Sequence, residues 1–329
     1  MVQLLRRPLV LLALGATLLG IAALASPGLL GDRLREALAG VRDADARWLW
    51  VAALGLVAMH ACGGLAWSVA LRACGSRHSH AGAVARYGIG SGLNAVAPAN
   101  LGGVVRLGLL GRIAGEHGVW RAGGAGALAS TLRGVLMAVL VAAAAAQGAI
   151  PLRPLLVAAL AACAGAALVV PFRHVLLRGR GTHLLDGFRA VRRERRHAAG
   201  VGLAMACALA AKVAAAAAAC AALGVDRPLV LALLVVPAVE IAGAVPLTPG
   251  NAGIGSAAAA LVLHAQGVPT ETAVAAGVAF GGLEILAGLG VGLVSGLALA
   301  APRLHPAVRP LVLGTSGAAL AFTAVVPVL

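Results

Sequence analysis

A long apolar region of this chain is interrupted at Pro246-Leu247-Thr248-Pro249-Gly250-Asn251-Ala252-Gly253-Ile254-Gly255. Two prolines and three glycines in ten residues cannot continue a helix, because proline lacks a backbone donor and glycine weakens a helix interior. Lipid offers no hydrogen bond to the freed backbone groups, so such a break must be buried in protein or line a wet cavity. The stretch therefore predicts a broken helix at membrane depth.

A counterpart lies about 150 residues earlier, at Ala97-Pro98-Ala99-Asn100-Leu101-Gly102-Gly103-Val104-Val105-Arg106. Paired helix breaks at corresponding positions in two halves of a chain indicate the substrate site of a transporter. We therefore expect these two breaks to form one site.

The composition is that of a polytopic membrane protein. Of 329 residues, 61% are hydrophobic and 11% are charged, and the mean hydropathy is +0.97; soluble domains carry about 25% charged residues. The net charge of +15 comes almost entirely from arginines in short loops between apolar stretches, as the positive-inside rule expects. This distribution argues against a nucleic-acid partner. The five cysteines are scattered and show neither the spacing of a metal site nor a disulfide framework. We also expect no cofactor.

Apolar lengths predict an all-α protein with seven full spans and two broken segments, 81–112 and 229–266. An uncleaved span is expected at the N-terminus, with a cleaved signal peptide as the alternative. The seven predicted spans cover about 8–25, 48–71, 122–147, 154–171, 198–222, 270–300 and 309–327.

Arginine placement predicts the sides of the membrane. Loop 172–197 holds eight arginines and should be cytoplasmic, as should the N-terminus with Arg6 and Arg7. With these two points on the cytoplasmic side, the number of full spans between them requires segment 81–112 to enter and leave on the cytoplasmic face. The same count requires segment 229–266 to enter and leave on the outer face. Both segments are thus predicted to be re-entrant hairpins in a multi-pass protein of a prokaryotic cytoplasmic membrane.

The same count predicts one membrane domain built as an inverted repeat. Repeat 1 covers 48–171 and repeat 2 covers 198–329, each with a span, a re-entrant hairpin and two further spans. Residues 1–47 add an N-terminal span and an outer loop, and the basic cytoplasmic loop 172–197 joins the repeats.

The helix starts near Gly102 and Gly253 are predicted to meet at mid-membrane. Their unsatisfied amides and partial positive charge suit a phosphate or a carboxylate. Polar side chains at the breaks either bind that ligand or satisfy the broken backbone. The candidate binding residues are Asn94, Pro98, Asn100, Gly102, Gly103, Arg106, Thr248, Pro249, Gly250, Asn251 and Gly253.

Four further charged residues lie inside predicted membrane segments: Arg133, Lys212, Glu240 and Glu284. Charges at this depth are costly and mark function by default. They either pair with one another, for example Lys212 with Glu240 or Glu284, or couple transport to protons through the two acids. With Arg106 they sum to three cations and two anions, which leaves one positive charge for an anionic headgroup.

Residues at both breaks match a known pair of motifs. Pro98, Gly102 and Arg106 fit Pro-Gly-Gly-x-Gly-Glu-x-x-Arg. The second motif, which resembles Pro-x-x-Pro-Gly-Gly-x-Gly-x-x-Glu, is matched at Pro246, Pro249, Gly250, Gly253 and Ile254. The chain thereby resembles the flippase-like membrane family typified by the transmembrane domain of lysylphosphatidylglycerol synthase.

Three positions depart from the family pattern. Gly103 and Ser256 stand where the motifs carry an acid, and Glu284 lies about where the family often has an arginine. The charge pattern of the site therefore differs from that of the family. The aminoacyl-transferase domain of the synthase has no counterpart in this sequence, so the resemblance implies lipid translocation without synthesis.

The expected function is thus flippase-like transport of a phosphate-bearing lipid, with its headgroup between the two hairpin tips. Candidate substrates are an anionic or aminoacylated phospholipid or a polyprenyl phosphate. We find no catalytic constellation and expect no enzyme activity. The alternatives are a proton- or ion-coupled transporter of a small anion, and a non-catalytic membrane subunit that works with lipid- or glycan-synthesis enzymes.

Overall fold

The computed structural model describes residues 41–97, 101–148, 194–243 and 253–300, together with residues 185, 188, 189 and 192. These ranges are helical and contain no strand. Their helices are α1 (Ala46–Ala73), α2 (His80–Val96), α3 (Leu101–Gly111), α4 (Gly118–Ala146), α5 (Arg195–Ala222), α6 (Pro228–Gly243), α7 (Ile254–Ala265) and α8 (Thr270–Ala300). The predicted spans 8–25, 154–171 and 309–327 and most of loop 172–197 lie outside the described residues.

Four of these helices, α1, α4, α5 and α8, are long and apolar enough to cross a membrane. Each has 28 to 31 residues, or about 42–46 Å at 1.5 Å per residue, which matches a bilayer with its headgroups. They coincide with the predicted spans 48–71, 122–147, 198–222 and 270–300. The chain is therefore a multi-pass membrane protein.

The remaining four helices form two consecutive pairs, and in each pair the first helix ends and the second begins near a predicted break. Helix α2 ends at Val96 and α3 begins at Leu101, while α6 ends at Gly243 and α7 begins at Ile254. With 11 to 17 residues each, they reach about 16–25 Å, less than the roughly 30 Å hydrocarbon core. Gly253 precedes α7 with φ of 86°, a left-handed conformation that favours glycine.

Helices α1 and α5 pack side by side in opposite directions. At one end the Asp45 amide donates to the Ala222 carbonyl oxygen at 2.9 Å. At the other end, a Cβ placed on Gly200 would lie 3.2 Å from the Val69 side chain. The C-terminal end of α1 therefore lies beside the N-terminal end of α5.

The two ends of each broken segment lie close together. Ser76, before α2, donates its hydroxyl to the Ile113 carbonyl oxygen, after α3, at 2.9 Å. At the opposite end of the molecule, Ala222 at the end of α5 and Glu271 at the start of α8 line one pocket together with Asp45. The loops that flank α2–α3 thus meet at one end, and those that flank α6–α7 meet at the other.

Small residues allow close approach between helices. A Cβ placed on Gly92 of α2 would lie only 2.7 Å from the Cα of Gly292 on α8, so these two backbones are in direct contact. Small residues at membrane-helix interfaces commonly serve this purpose. The resulting α2–α8 packing, with α1 and α5 alongside, surrounds the polar centre described next.

Candidate functional site

A cavity of about 450 Å³ lies between the helices and has a mixed polar and apolar lining. Its volume falls in the range of small-ligand sites. The charged and polar residues that line it include six of the predicted site residues and five others: Asn94, Arg106, Arg133, Lys212, Glu240 and Glu284, with His60, Tyr87, Ser91, Ser130 and Ser256. Tertiary packing thus brings residues of both halves of the chain to one cavity.

Four of these residues form one network of ion pairs. Lys212 Nζ donates to Glu240 Oε1 at 2.7 Å and to Glu284 Oε1 at 2.5 Å. Arg133 Nη2 donates to the same Glu240 oxygen at 2.6 Å. The Lys212 side chain is 3% exposed, so it can remain charged only with such partners. The network joins α4, α5, α6 and α8 and is formally neutral. These charges therefore pair with one another, which was one of the two alternatives that the sequence left open.

Arg106 on α3 lies outside this network. Its Nη2 donates to Ser91 Oγ at 3.1 Å, and its guanidinium carbon lies 4.0 Å from the centroid of the Tyr87 ring. Its Nε is buried without a hydrogen-bond partner among the described residues. The described structure therefore holds this cation by a hydroxyl and an aromatic face, with no carboxylate paired to it.

Asn94 satisfies part of the broken backbone. Its Oδ1 accepts a hydrogen bond from the Gly103 amide, in the first turn of α3, at 3.2 Å. This is the second of the two roles that the sequence left open for the polar residues at the breaks, although Asn94 also lines the cavity. A Cβ on Gly102 would collide with the Gly90 carbonyl oxygen and with Asn94. Glycine at this position is thus explained by close helix packing.

The other candidates are distributed as follows. Gly102, Gly103 and Gly253 lie beside the cavity but are absent from its described lining, whereas Gly255 and Ser256, in the first turn of α7, do line it. Residues 98–100 and 244–252 are outside the described residues, and with them the candidates Pro98, Asn100, Thr248, Pro249, Gly250 and Asn251.

Five polar lining residues were not among the predicted site residues, and two of these, His60 and Tyr87, are aromatic. His60 on α1 has both ring nitrogens buried without a hydrogen-bond partner among the described residues. Tyr87, the single tyrosine of the chain, supplies the ring beneath Arg106. A polar aromatic in the middle of an apolar segment was the available signal in both cases. Among the described residues, no group of three or more His, Cys, Asp or Glu side chains could hold a metal ion.

Comparison with known proteins gives one match. The family model described as "Lysylphosphatidylglycerol synthase TM region" matches residues 8–292. This range contains both helix breaks and every described residue that lines the cavity. Neither a curated protein nor a solved structure matches the chain.

Proposed function

This chain belongs to the family of the lysylphosphatidylglycerol synthase transmembrane region, and on that premise we propose that it translocates a phosphate-bearing lipid across the membrane. Family membership indicates a lipid-related membrane function. In the proposal, the headgroup enters the cavity while the acyl chains stay in the bilayer. The observation that carries it is Arg106, a cation in the cavity that is held by neutral groups.

The chemistry of Arg106 suits a phosphate. A guanidinium presents several N–H donors in one plane, which phosphate oxygens accept well. Anionic or aminoacylated phospholipids and polyprenyl phosphate are the candidate substrates, and enzymes of lipid synthesis are candidate partners. The proposed activity is transport without catalysis and needs no cofactor.

Membrane embedding of the two broken segments is part of the proposal. The hydrogen bond from Ser76 to Ile113 supports a hairpin that enters and leaves at one face, because it holds both ends of α2–α3 together. The pocket lined by both Ala222 and Glu271 supports a second hairpin, α6–α7, that enters and leaves at the opposite face. Large apolar side chains on the short helices are exposed, as lipid contact requires: Val104 is 66%, Ile241 72% and Leu261 70% exposed.

The helix contacts also support an inverted repeat of α1–α4 and α5–α8. Contacts α1–α2, α2–α3 and α3–α4 recur as α5–α6, α6–α7 and α7–α8, and the cross-contact α2–α8 has its counterpart in α6–α4. The opposite directions of α1 and α5 are those that an inverted repeat requires. Together with the arginines of loop 172–197, this supports a prokaryotic cytoplasmic membrane protein with a cytoplasmic N-terminus.

A second candidate is proton- or ion-coupled transport of a small anion. The observation in its favour is that two carboxylates, Glu240 and Glu284, line the same cavity as Arg106. A carboxylate that exchanges its cation partner for a proton is a common element of such coupling. The lipid proposal requires no such exchange.

Transport can be measured in proteoliposomes with headgroup-labelled phospholipids and a labelled polyprenyl phosphate. We expect the wild type to speed the exchange of at least one phosphate-bearing lipid between leaflets, and Arg106→Ala to abolish it. Arg112→Ala is the matched control, because Arg112 is exposed next to α3 and does not line the cavity.

The outcomes separate the two candidates. Loss of exchange in a folded Arg106→Ala protein, with Arg112→Ala active, supports the lipid proposal. If the wild type moves no lipid but takes up a small anion, the second candidate replaces it. Equal rates in wild type and Arg106→Ala contradict the role of Arg106.

A further inference from the structure

We propose that the headgroup bound in this cavity carries net negative charge, and that His60 binds its phosphate together with Arg106. The proposal rests on the function proposed above and specifies the substrate class of the same cavity. It excludes as the preferred substrate a lipid whose headgroup carries an amino acid and a net positive charge.

The first step of the argument is the charge of the cavity. Glu240 accepts from both Lys212 and Arg133, and Glu284 accepts from Lys212. The cations of this network are thus matched by its acids, and Arg106 remains as one further positive charge. The described lining of the cavity thus has a net charge of about +1, which a ligand of about −1 complements and which repels a cation.

The second step is the position of the acids. An ammonium group on the headgroup would need a carboxylate, but both carboxylates of the cavity already hold Lys212 at 2.7 and 2.5 Å. Displacing them would leave Lys212, which is 3% exposed, buried without its counter-charges. Such uncompensated burial of a charge is strongly unfavourable. The negative charge of both carboxylates in the described cavity is therefore already balanced by Lys212 and Arg133, and an ammonium group would add a positive charge without a matching acid.

The third step is His60, which lines the same cavity as Arg106. A Cβ placed on Gly288 would lie 3.8 Å from His60 Nε2 and 3.5 Å from the Ser91 backbone oxygen. Ser91 in turn accepts the hydrogen bond from Arg106. His60 and the Ser91–Arg106 pair therefore flank the same small residue of α8.

Among the described residues, four buried side-chain polar atoms lack a hydrogen-bond partner, and three of them lie on His60 and Arg106, while the fourth, Arg121 Nε, is outside the cavity. His60 Nδ1 and Nε2 and Arg106 Nε are buried without a hydrogen-bond partner among the described residues. Buried polar atoms are normally hydrogen-bonded. A phosphate satisfies Arg106 Nε–H and the one N–H of a neutral imidazole, and a hydroxyl on the headgroup can donate to the other ring nitrogen. A phosphodiester with hydroxyls and no ammonium group combines these features.

Binding can be read from Trp67, which lines the cavity and lies 6.4 Å from the Tyr87 ring. Replacing Trp48, Trp50 and Trp120 by Phe leaves Trp67 as the single tryptophan. Its fluorescence is titrated in detergent with short-chain phosphatidylglycerol (net −1), phosphatidylcholine (net 0), lysyl-phosphatidylglycerol (net +1) and water-soluble glycerol phosphate.

We expect phosphatidylglycerol to bind at least about tenfold more tightly than the neutral and cationic lipids. His60→Phe should weaken that binding about five- to tenfold, as for one hydrogen bond, and Arg106→Gln about 10- to 100-fold, as for a charged one. His60→Gln keeps a donor and should retain most of the affinity. Arg112→Gln is the control that removes a charge outside the cavity, and thermal unfolding checks that each variant is folded.

Two results overturn the proposal: lysyl-phosphatidylglycerol binding as tightly as phosphatidylglycerol, or folded His60→Phe and His60→Gln proteins that bind phosphatidylglycerol alike. If glycerol phosphate binds as tightly as phosphatidylglycerol, the cavity does bind an anion, but the proposal that this anion is a lipid headgroup is wrong. Tight binding of phosphatidylglycerol without leaflet exchange contradicts the transport function and leaves the subsite intact. Preferential exchange of lysyl-phosphatidylglycerol between leaflets supports the transport function and contradicts the proposed preference for an anionic headgroup.

Discussion

Lys212 lies at the centre of the charged network, where it contacts one acid from α6 and one from α8. Its side chain is almost fully buried. The energy of such a buried network depends on every partner being present. Replacing one residue of the network should therefore change the free energy of unfolding by more than the loss of a single ion pair.

Lys212→Ala is expected to lower the free energy of unfolding by about 3–5 kcal/mol, because it leaves Glu240 and Glu284 facing each other with only Arg133 to balance them. Thermal and denaturant unfolding in detergent measure the change. Lys212→Arg, which keeps the charge, is the control and should lose less. A Lys212→Ala protein as stable as the wild type would show that the two acids are not held as ions.

Glu240 and Glu284 should differ in their contribution. Glu240 accepts from two cations and Glu284 from one, so Glu240→Gln leaves Arg133 without its acid whereas Glu284→Gln does not. We expect a loss of about 2–3 kcal/mol for Glu240→Gln and about half of that for Glu284→Gln. Unfolding of the two variants in the same detergent tests this order, and the reverse order would contradict the observed network.

At the scale of the elements, α2 and α8 approach more closely than a side chain allows. Gly92→Ala places a Cβ 2.7 Å from the Gly292 Cα, and because the contact is with backbone the helices must separate. Overpacking of this kind costs about 1–3 kcal/mol, which thermal unfolding measures. Gly296→Ala, on the same face of α8 with nothing within 4 Å, is the matched control and should be neutral or slightly stabilising. Equal effects would contradict the close crossing.

The connection between α1 and α2 contains His78, which is hydrogen-bonded through both ring nitrogens to Ser68 and Ser76 at 3.0 Å. Burial, followed by the nearby Arg72 guanidinium, lowers the pKa of His78 below its ordinary value. The unfolded chain then binds more protons than the folded protein just below about pH 6.5. This contribution to stability is complete above that pH and is lost as the pH falls.

His78→Gln should therefore flatten the decline in unfolding temperature between about pH 7 and pH 5, measured in detergent at several pH values. Arg77→Gln, an exposed neighbour in the same loop, controls for the loss of a polar side chain at this place. A His78→Gln profile parallel to that of the wild type would contradict the lowered pKa.

At the scale of the whole molecule, the proposed inverted repeat predicts which loops lie on each side of the membrane. In a protein without native cysteines, single cysteines at Arg77 and Arg196 should be labelled from the cytoplasm by an impermeant reagent. A cysteine at Asp226 should be labelled from the opposite side. The physical reason is that α1 and α5 run antiparallel, so that Ala222 lies beside Asp45 at the other end of α1. Labelling of all three from one side would contradict this topology.

The sequence by itself determined the helical class, four of the spans and the positions of both breaks. These features depend on local properties: about 20 consecutive apolar residues form a span, and prolines and glycines interrupt it wherever they fall. The helix ends at Val96 and Gly243 and the helix starts at Leu101 and Ile254 therefore lie within a few residues of the predicted breaks. The family also followed from short motifs at these breaks, which the match over residues 8–292 confirms.

Only the tertiary structure decided which charges meet. Arg133 and Glu240 are 107 residues apart, and Lys212 and Glu284 are 72 apart, so no local pattern distinguishes these pairs from other combinations of the same residues. The position of Arg106 over Tyr87, the hydrogen bond from Gly103 to Asn94 and the burial of His60 likewise depend on how helices cross. Helix crossing is set by packing over the whole bundle, which is why the helix ends could be predicted from the sequence and the pairing of the charges could not.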